Sequence, residues 1–320
     1  MFGPRDQTDS EPTCTPVRGL TRALLVTAMA WTCQLPAGPI NVPNGSFESP
    51  ATPFVSLNFD SWQRTPQPGW WDENASGPWA NLTGIFKNTA PGSADHIVNC
   101  HSNQAAWLFA NPEAGLFQDY DSVDWNDLEP SHAFDAKFEA GRLYRLTFGV
   151  IGGGYNMLPG TPLEASLYYR DAASNKVMVA ATTIVYSTAR FTSRTQLVYF
   201  EVTTPVVRAG DAWAGQNVGI QFLSTVSGEL AGGFWDVDDV RLASTMAPAI
   251  SSPAMVSGQF QFVLHSEPGA VLEILAHMNP SLPIAEWTSL GKLTNSTGTI
   301  PFVDTSPNIG QRCYQVRQLP

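Results

Sequence analysis

The chain has 320 residues, and its 17 Lys and Arg against 28 Asp and Glu give a formal net charge of −11. Its length allows one large domain or two ordinary ones, and 26 glycines with 25 prolines favour strands joined by turns over helices. No cluster of Lys and Arg occurs, which argues against nucleic acid and anionic membranes as partners. An acidic surface instead fits a neutral ligand or a cation.

The first 38 residues have the order of an export signal. Arg18 and Arg22 precede an apolar run over residues 23–31, and Leu35-Pro36-Ala37-Gly38 follows. The run is too short to span a bilayer. We therefore predict a leader over residues 1–38, a secreted or cell-surface location and no transmembrane segment. A disordered tail with a short buried helix is the alternative.

Two distant acidic segments predict a cation site. The turn Asn44-Gly45-Ser46-Phe47-Glu48 ends in an acid, and Trp235-Asp236-Val237-Asp238-Asp239-Val240-Arg241-Leu242 is typical of a strand with carboxylates among large apolar residues. Buried carboxylates are costly unless a cation or hydrogen-bond donors meet them. If the two segments are neighbours, their acids can converge on calcium, which takes about six to eight oxygen ligands. The predicted ligands are Glu48, Asn44, Asp238 and Asp239, and a solvated acidic edge without metal is the alternative.

Aromatic surface is concentrated in residues 50–92, a segment rich in Pro and Gly and without periodicity. Loops rarely carry so many indoles without packing them or using them. Flat indole faces stack on the C–H faces of sugar rings, while amides and carboxylates bind the hydroxyls. The predicted ligand contacts are Trp62, Trp70, Trp71, Trp79, Asp72 and Asn81. Burial of individual indoles as plugs at the ends of a sandwich is the alternative.

Short strands dominate the segment from residue 103 to residue 223. In the first of them Ala105, Trp107 and Phe109 share one face by the period of two, and apolar residues on both faces predict a central strand with Trp107 in the core. The run Gly152-Gly153-Gly154 is not a phosphate-binding loop, because no Lys-Ser/Thr follows and no helix begins there. Closely spaced strands without a helical period predict a two-sheet antiparallel sandwich.

The composition changes after residue 244. Residues 245–256 are small, uncharged and punctuated by proline, which predicts a linker. Residues 257–320 show short strands and predict a second, smaller β module. Cys100 and Cys313 belong to different predicted domains, so two separate thiols are favoured over a disulfide between them. No C-x-x-C or Cys/His cluster indicates zinc.

Several of these motifs carry a family resemblance. The N-G-S-F-E turn, the W-D-V-D-D-V-R-L strand and the segment Ala140-Gly141-Arg142-Leu143-Tyr144-Arg145-Leu146 together resemble the galactose-binding-like β-sandwich, the jelly roll of many carbohydrate-binding modules. Ala214-Gly215-Gln216-Asn217-Val218-Gly219-Ile220 is similar to its penultimate strand. The resemblance covers residues 39–244 and implies neighbouring first and last strands, a structural calcium and a carbohydrate partner. The C-terminal module resembles an immunoglobulin or fibronectin-III domain.

Catalytic motifs are absent from the sequence. The five histidines are scattered, and there is no G-x-S-x-G elbow, H-E-x-x-H helix or Cys/His pattern. We therefore predict a secreted, non-catalytic, lectin-like protein with an all-β fold, an antiparallel jelly-roll sandwich followed by a smaller immunoglobulin-like one. A structural or adhesive surface protein without a glycan ligand is one alternative. A glycoside hydrolase or lyase is the other, because such an enzyme needs only two suitably spaced carboxylates.

Overall fold

The computed structural model describes residues 38–127, 129–306 and 312–319. The predicted leader, apart from its last residue, lies outside this range, as do Cys14 and Cys33. The chain divides after Ala247 into two compact units, which we call the large unit and the small unit. No helix in the described ranges is both long and apolar enough to cross a membrane.

The large unit is built almost entirely from strands, with one short helix, α1 (Glu73–Ser76), and 3-10 turns at Trp79–Leu82 and Gly228–Leu230. Its strands are β1 (Gly38–Ile40), β2 (Val55–Ser56), β3 (Gln63–Arg64), β4 (Thr83–Lys87), β5 (Gln104–Phe109), β6 (Gly115–Gln118), β7 (Arg142–Gly154), β8 (Pro162–Arg170), β9 (Lys176–Val185), β10 (Val198–Thr203), β11 (Gly219–Leu223) and β12 (Phe234–Met246).

Two sheets form the sandwich of the large unit. The first has the order β10-β7-β12-β5-β4-β2, with β1 also paired to β12, and the second has the order β3-β6-β11-β8-β9. Every ladder is antiparallel. Large apolar side chains from both sheets, such as Trp235, Leu108, Phe222 and Leu167, fill the space between them. The predicted all-β antiparallel sandwich is confirmed.

The first and last strands of the large unit are neighbours, as predicted. Gly38 pairs with Ser244 and Ile40 with Leu242, and the Val240 N–H donates to the Gly45 carbonyl at 2.8 Å. The N-terminal turn is therefore held against the middle of β12, which brings the two acidic segments to one part of the fold.

The small unit contains two further antiparallel sheets, ordered β13-β14-β17 and β16-β15-β18, and a 3-10 turn at Ile284–Glu286. Its strands are β13 (Ala249–Val256), β14 (Gln259–His265), β15 (Ala270–His277), β16 (Thr288–Asn295), β17 (Thr299–Asp304) and β18 (Cys313–Gln318). Phe262, Leu272 and Tyr314 belong to its core. Among the described residues neither Cys313 nor Cys100 forms a disulfide.

The segment predicted as a linker, residues 245–256, is mostly strand. β12 continues to Met246, and β13 begins at Ala249 and pairs with β14. The prolines and small residues misled the prediction because β13 is an edge strand, where proline is tolerated. Pro253 lies where the register between β13 and β14 shifts, between Ser251 and Ala254, so its missing N–H costs the ladder little.

Candidate functional site

Two of the four predicted calcium ligands lie against the same backbone segment, residues 101–104. One carboxylate oxygen of Glu48 accepts the N–H groups of Asn103 and Gln104 at 2.9 and 2.7 Å. Asp238 is fully buried, and its Oδ2 accepts the His101 N–H at 2.6 Å. The meeting of the N-terminal turn with β12 therefore places both carboxylates over this segment, with backbone N–H groups as their partners.

Burial perturbs the titration of this region. It raises the pKa of Asp238 to about 7, although the N–H groups of His101 and Asp239 partly oppose the change. The pKa of the neighbouring Cys100 thiol is raised above its ordinary value, first by burial and then by the charges of Asp238 and Glu48. Since a thiol needs deprotonation to act as a nucleophile or metal ligand, this shift argues against either role for Cys100.

The other two predicted ligands are engaged elsewhere. Asp239 is buried and accepts two hydrogen bonds from Arg241, each 2.6 Å, and one from the Tyr199 hydroxyl at 2.8 Å. Asn44 stabilises its own turn by bonding the backbone of Ser49 and the carbonyl of Asp60.

The four residues Glu48, Asn44, Asp238 and Asp239 therefore do not form one ligand set. The reason is a bulge in β12 between Asp238 and Arg241, where Asp239 takes a left-handed φ of 56°. Within the described ranges no group of three or more His, Cys, Asp or Glu side chains is placed to hold a metal ion.

Two of the predicted ligand-binding indoles belong to the core. Trp62 is 2% exposed, packs on Phe47 and Phe222, and donates its Nε1–H to the Asn44 carbonyl. Trp79 is 6% exposed and donates to the Thr65 carbonyl. Burial of these large apolar rings stabilises the sandwich, so neither presents a face to a ligand, and the prediction that they do was wrong.

The other four predicted ligand-binding residues are close in the chain and at least partly exposed: Trp70, Trp71, Asp72 and Asn81. Trp70 is 53% exposed and donates to Glu113 Oε1 at 2.9 Å, while Trp71 is partly buried and donates to the Gly77 carbonyl. Asp72 is exposed and caps α1 through the Asn74 N–H, and Asn81 is exposed. Of the four predicted indoles, Trp70 is therefore the one that offers an open face.

A cleft that the sequence analysis did not identify lies on the outer face of the first sheet. Its volume is about 500 Å³, within the range of small-molecule sites. Strands β2, β4, β5, β7 and β12 contribute to its walls together with segments around residues 95 and 194. The lining residues are Val55, Leu57, Phe86, Asp95, Ile97, Trp107, Phe109, Ile151, Gly154, Tyr155, Arg194, Phe234 and Asp236.

The cleft follows from strand alternation in β5 and β12. In β5, Ala106 and Leu108 point into the core, so Trp107 and Phe109 point outward, as their shared face predicted. The placement of Trp107 in the core was therefore wrong. In β12 the inward residues are Trp235 and Val237, which leaves Phe234 and Asp236 on the cleft side.

Ladder register joins these outward residues into one surface. Phe234 is paired with Phe109, and their ring centroids are 5.8 Å apart. Asp236 is paired with Trp107, so its carboxyl lies beside an indole. The last residue of β7, Gly154, leaves room for the Phe234 ring, because a Cβ at that position would lie 2.5 Å from it.

Asp236 is a partly buried polar group of the cleft. Among the described residues it has no hydrogen-bonding or ionic partner, and burial raises its pKa to about 8. Asp95 and Arg194 also line the cleft but are solvent-exposed. Perturbed titratable groups in apolar clefts are typical of functional sites.

The opening of the cleft is apolar as well. Tyr155 and Val55 are 72% and 52% exposed, and Leu57 also stands open to solvent. Phe54, next to Val55 in the chain, is 75% exposed. Exposed apolar side chains grouped around a cavity mark an interaction site more often than isolated ones do.

No protein-family model and no curated protein sequence matched the chain. Among solved structures, the Stig cyclase Fisc from Fischerella sp. TAU is similar, with a TM-score of 0.45, 20% identity, and coverage of 66% of this chain and 99% of that one. The CBM22-1 xylan-binding domain from Paenibacillus barcinonensis Xyn10C gives a TM-score of 0.32 and 10% identity over 61% of this chain and 94% of that one. An adhesin domain of Lys-gingipain from Porphyromonas gingivalis W83 gives 0.30 and 14%, over 57% and 89%. Likeness at this level does not extend to ligand or activity.

Proposed function

We propose that the large unit is a ligand-binding domain that holds a small molecule with an apolar ring in the cleft over β5 and β12. The observation that carries this proposal is a cavity of about 500 Å³ walled by Trp107, Phe109 and Phe234, with one unpartnered carboxyl inside. Burial of a ring against these walls removes apolar area from water and gains favourable aromatic contacts.

A neutral fluorescent arylamine, N-phenyl-1-naphthylamine, tests this proposal. We expect its emission to rise on titration into the full chain and to fall to background in Trp107→Ala, which removes one wall. Trp70→Ala is the matched control, because it removes an exposed indole outside the lining residues. Equal binding by the wild type and Trp107→Ala would place the probe elsewhere and refute the proposal.

A carbohydrate, the ligand that the family resemblance implies, is the second candidate. The exposed Trp70, with Asp72 and Asn81 exposed nearby in the chain, supports stacking on a sugar ring with polar contacts to its hydroxyls. A glycan array probed with the wild type and Trp70→Ala decides this candidate. We expect binding in the wild type and its loss in the variant, whereas binding that survives in Trp70→Ala but not in Trp107→Ala assigns the glycan to the cleft.

The remaining parts of the proposal concern location, chemistry and metal. We propose an exported, non-catalytic protein on the strength of the leader-like residues 1–38 and the missing catalytic motifs. Hydrolysis of any member of a polysaccharide panel by the purified protein would overturn the non-catalytic part. Calcium stays a prediction, and its support is that Glu48 and Asp238 both lie against residues 101–104. A rise in melting temperature with calcium and its reversal by EDTA are the expected signs.

A further inference from the structure

We infer that the molecule bound in the cleft is an organic cation, a protonated amine carried on an apolar or aromatic body. This inference rests on the proposed function, because it names the ligand class of the same cleft. It is argued from the position of Asp236, the identity of the walls and the distribution of charge.

Asp236 is partly buried and lacks the protein partners that the neighbouring carboxyl groups of β12 have. Asp238 and Asp239, on the same strand, accept two and three hydrogen bonds respectively, whereas Asp236 has no partner within the described part of the chain. A carboxyl in a cleft that the protein does not satisfy takes its hydrogen bonds from water or from a ligand. A group that donates N–H bonds and carries positive charge is the strongest partner for a carboxylate.

The walls beside Asp236 favour the same ligand. Trp107 is its cross-strand partner in the ladder, and Phe234 precedes it by two residues on the same face. Aromatic faces carry negative electrostatic potential and attract a cation within about 6 Å of the ring centroid, with tryptophan the best of them. An ammonium group that reaches the Asp236 carboxylate therefore lies next to an indole, and its apolar body lies along the remaining rings.

Charge around the cleft is consistent with a cationic ligand. Arg194 is the one basic residue among the lining residues, and both it and the acidic Asp95 are exposed. Water therefore screens both charges. Asp236 is thus the acidic group that a ligand meets away from the exposed pair, and the net charge of −11 steers cations toward the protein.

The opposing reading is a neutral Asp236 that donates a hydrogen bond to an uncharged ligand. The two readings differ in the preference they give between isosteric molecules. 2-Phenylethylamine and 2-phenylethanol share shape and ring but differ in charge, and so do 2-(1-naphthyl)ethylamine and 2-(1-naphthyl)ethanol.

Calorimetric titration of the full chain with both pairs at pH 8.5, where Asp236 is ionised and the amines are still protonated, tests the inference. We expect each amine to bind about 10- to 100-fold more tightly than its alcohol, as a charge-assisted hydrogen bond provides. Asp236→Asn should abolish that preference while leaving the affinity for the alcohols within about twofold, because the amide keeps the shape of the acid. Asp95→Asn, at an exposed carboxylate of the same cleft, should leave most of the preference in place.

The possible results separate failure of the inference about the ligand class from failure of the proposed function. Equal binding of amine and alcohol, or a preference that survives in Asp236→Asn, overturns the inference and leaves the proposed function intact. Failure of all four compounds to bind overturns the inference, and failure of N-phenyl-1-naphthylamine to bind the wild type overturns the proposed function as well. The ratio measured in the wild type decides the inference even if a variant does not fold.

Discussion

Removal of the unpartnered carboxyl should stabilise the large unit in a pH-dependent way. Burial raises the pKa of Asp236 from its ordinary 3.8 to about 8. Between these values the folded state retains a proton that the unfolded state has released, so stability falls as pH rises from about 4 to about 8 and then levels off. At about 1.4 kcal/mol per pH unit, the loss attributable to Asp236 between pH 5 and pH 8 is at most about 4 kcal/mol.

Asp236→Asn removes this dependence and keeps the volume of the side chain. Urea unfolding followed by tryptophan fluorescence should show the variant and the wild type with similar unfolding free energies near pH 4. At pH 8 the variant should be more stable by about 2 to 4 kcal/mol, after allowance for relaxation and water entry. Asp238, whose pKa is also raised, acts in the same direction but is common to both proteins.

The exposed Asp95→Asn is the matched control, and its stability should follow the wild type at every pH. A stability gain in Asp236→Asn that is the same at pH 4 and pH 8 would refute the reasoning, because it would show that the buried carboxyl is not the source of the pH dependence.

Three further changes give separate tests. Gly154→Ala should cut binding of N-phenyl-1-naphthylamine at least about tenfold with the fold retained by circular dichroism, because the new Cβ displaces the Phe234 ring; unchanged affinity would contradict the described wall. Trp62→Ala should lower the free energy of unfolding by about 3 to 5 kcal/mol, since it empties a core position, and a loss below about 1 kcal/mol in urea titration would argue that this indole is not core. Glu48→Ala leaves two backbone N–H groups without their acceptor and should cost about 1 to 3 kcal/mol. If Glu48→Ala loses the same unfolding free energy in EDTA as in calcium, Glu48 is a structural carboxylate. If the loss appears only in calcium, Glu48 is a metal ligand.

The sandwich could be predicted because short stretches of sequence carry the signals of its strands. Alternation in Ala105, Trp107 and Phe109 identifies the faces of β5, and the acidic segments at each end of the large unit identify neighbouring strands. Burial was harder to predict for the indoles. Trp62 and Trp70 lie in similar Pro- and Gly-rich sequence, and what separates the buried ring from the open one is the packing of Trp62 on Phe47 and Phe222, which only the folded structure shows.

The cleft could not be predicted from the sequence for a related reason. Its lining residues come from segments as far apart as Val55, Asp95, Arg194 and Phe234, and no short motif joins them. One signal was present, because Asp236 alternates with Trp235 and Val237 and must face away from the core that they fill. The four predicted calcium ligands do not come together because β12 has a bulge at Asp239. The spacing of the acids in the sequence does not reveal such a bulge.

The proline in β13 has a consequence for how molecules of this protein behave together. β13 is the outermost strand of its sheet, and most of its residues are open to solvent. A regular strand in that position would invite another chain to extend the sheet. Pro253 supplies no N–H and sits at a break in the register, so a foreign strand meets an interrupted row of donors. We expect concentrated solutions of Pro253→Val to form fibrillar aggregates sooner than the wild type does.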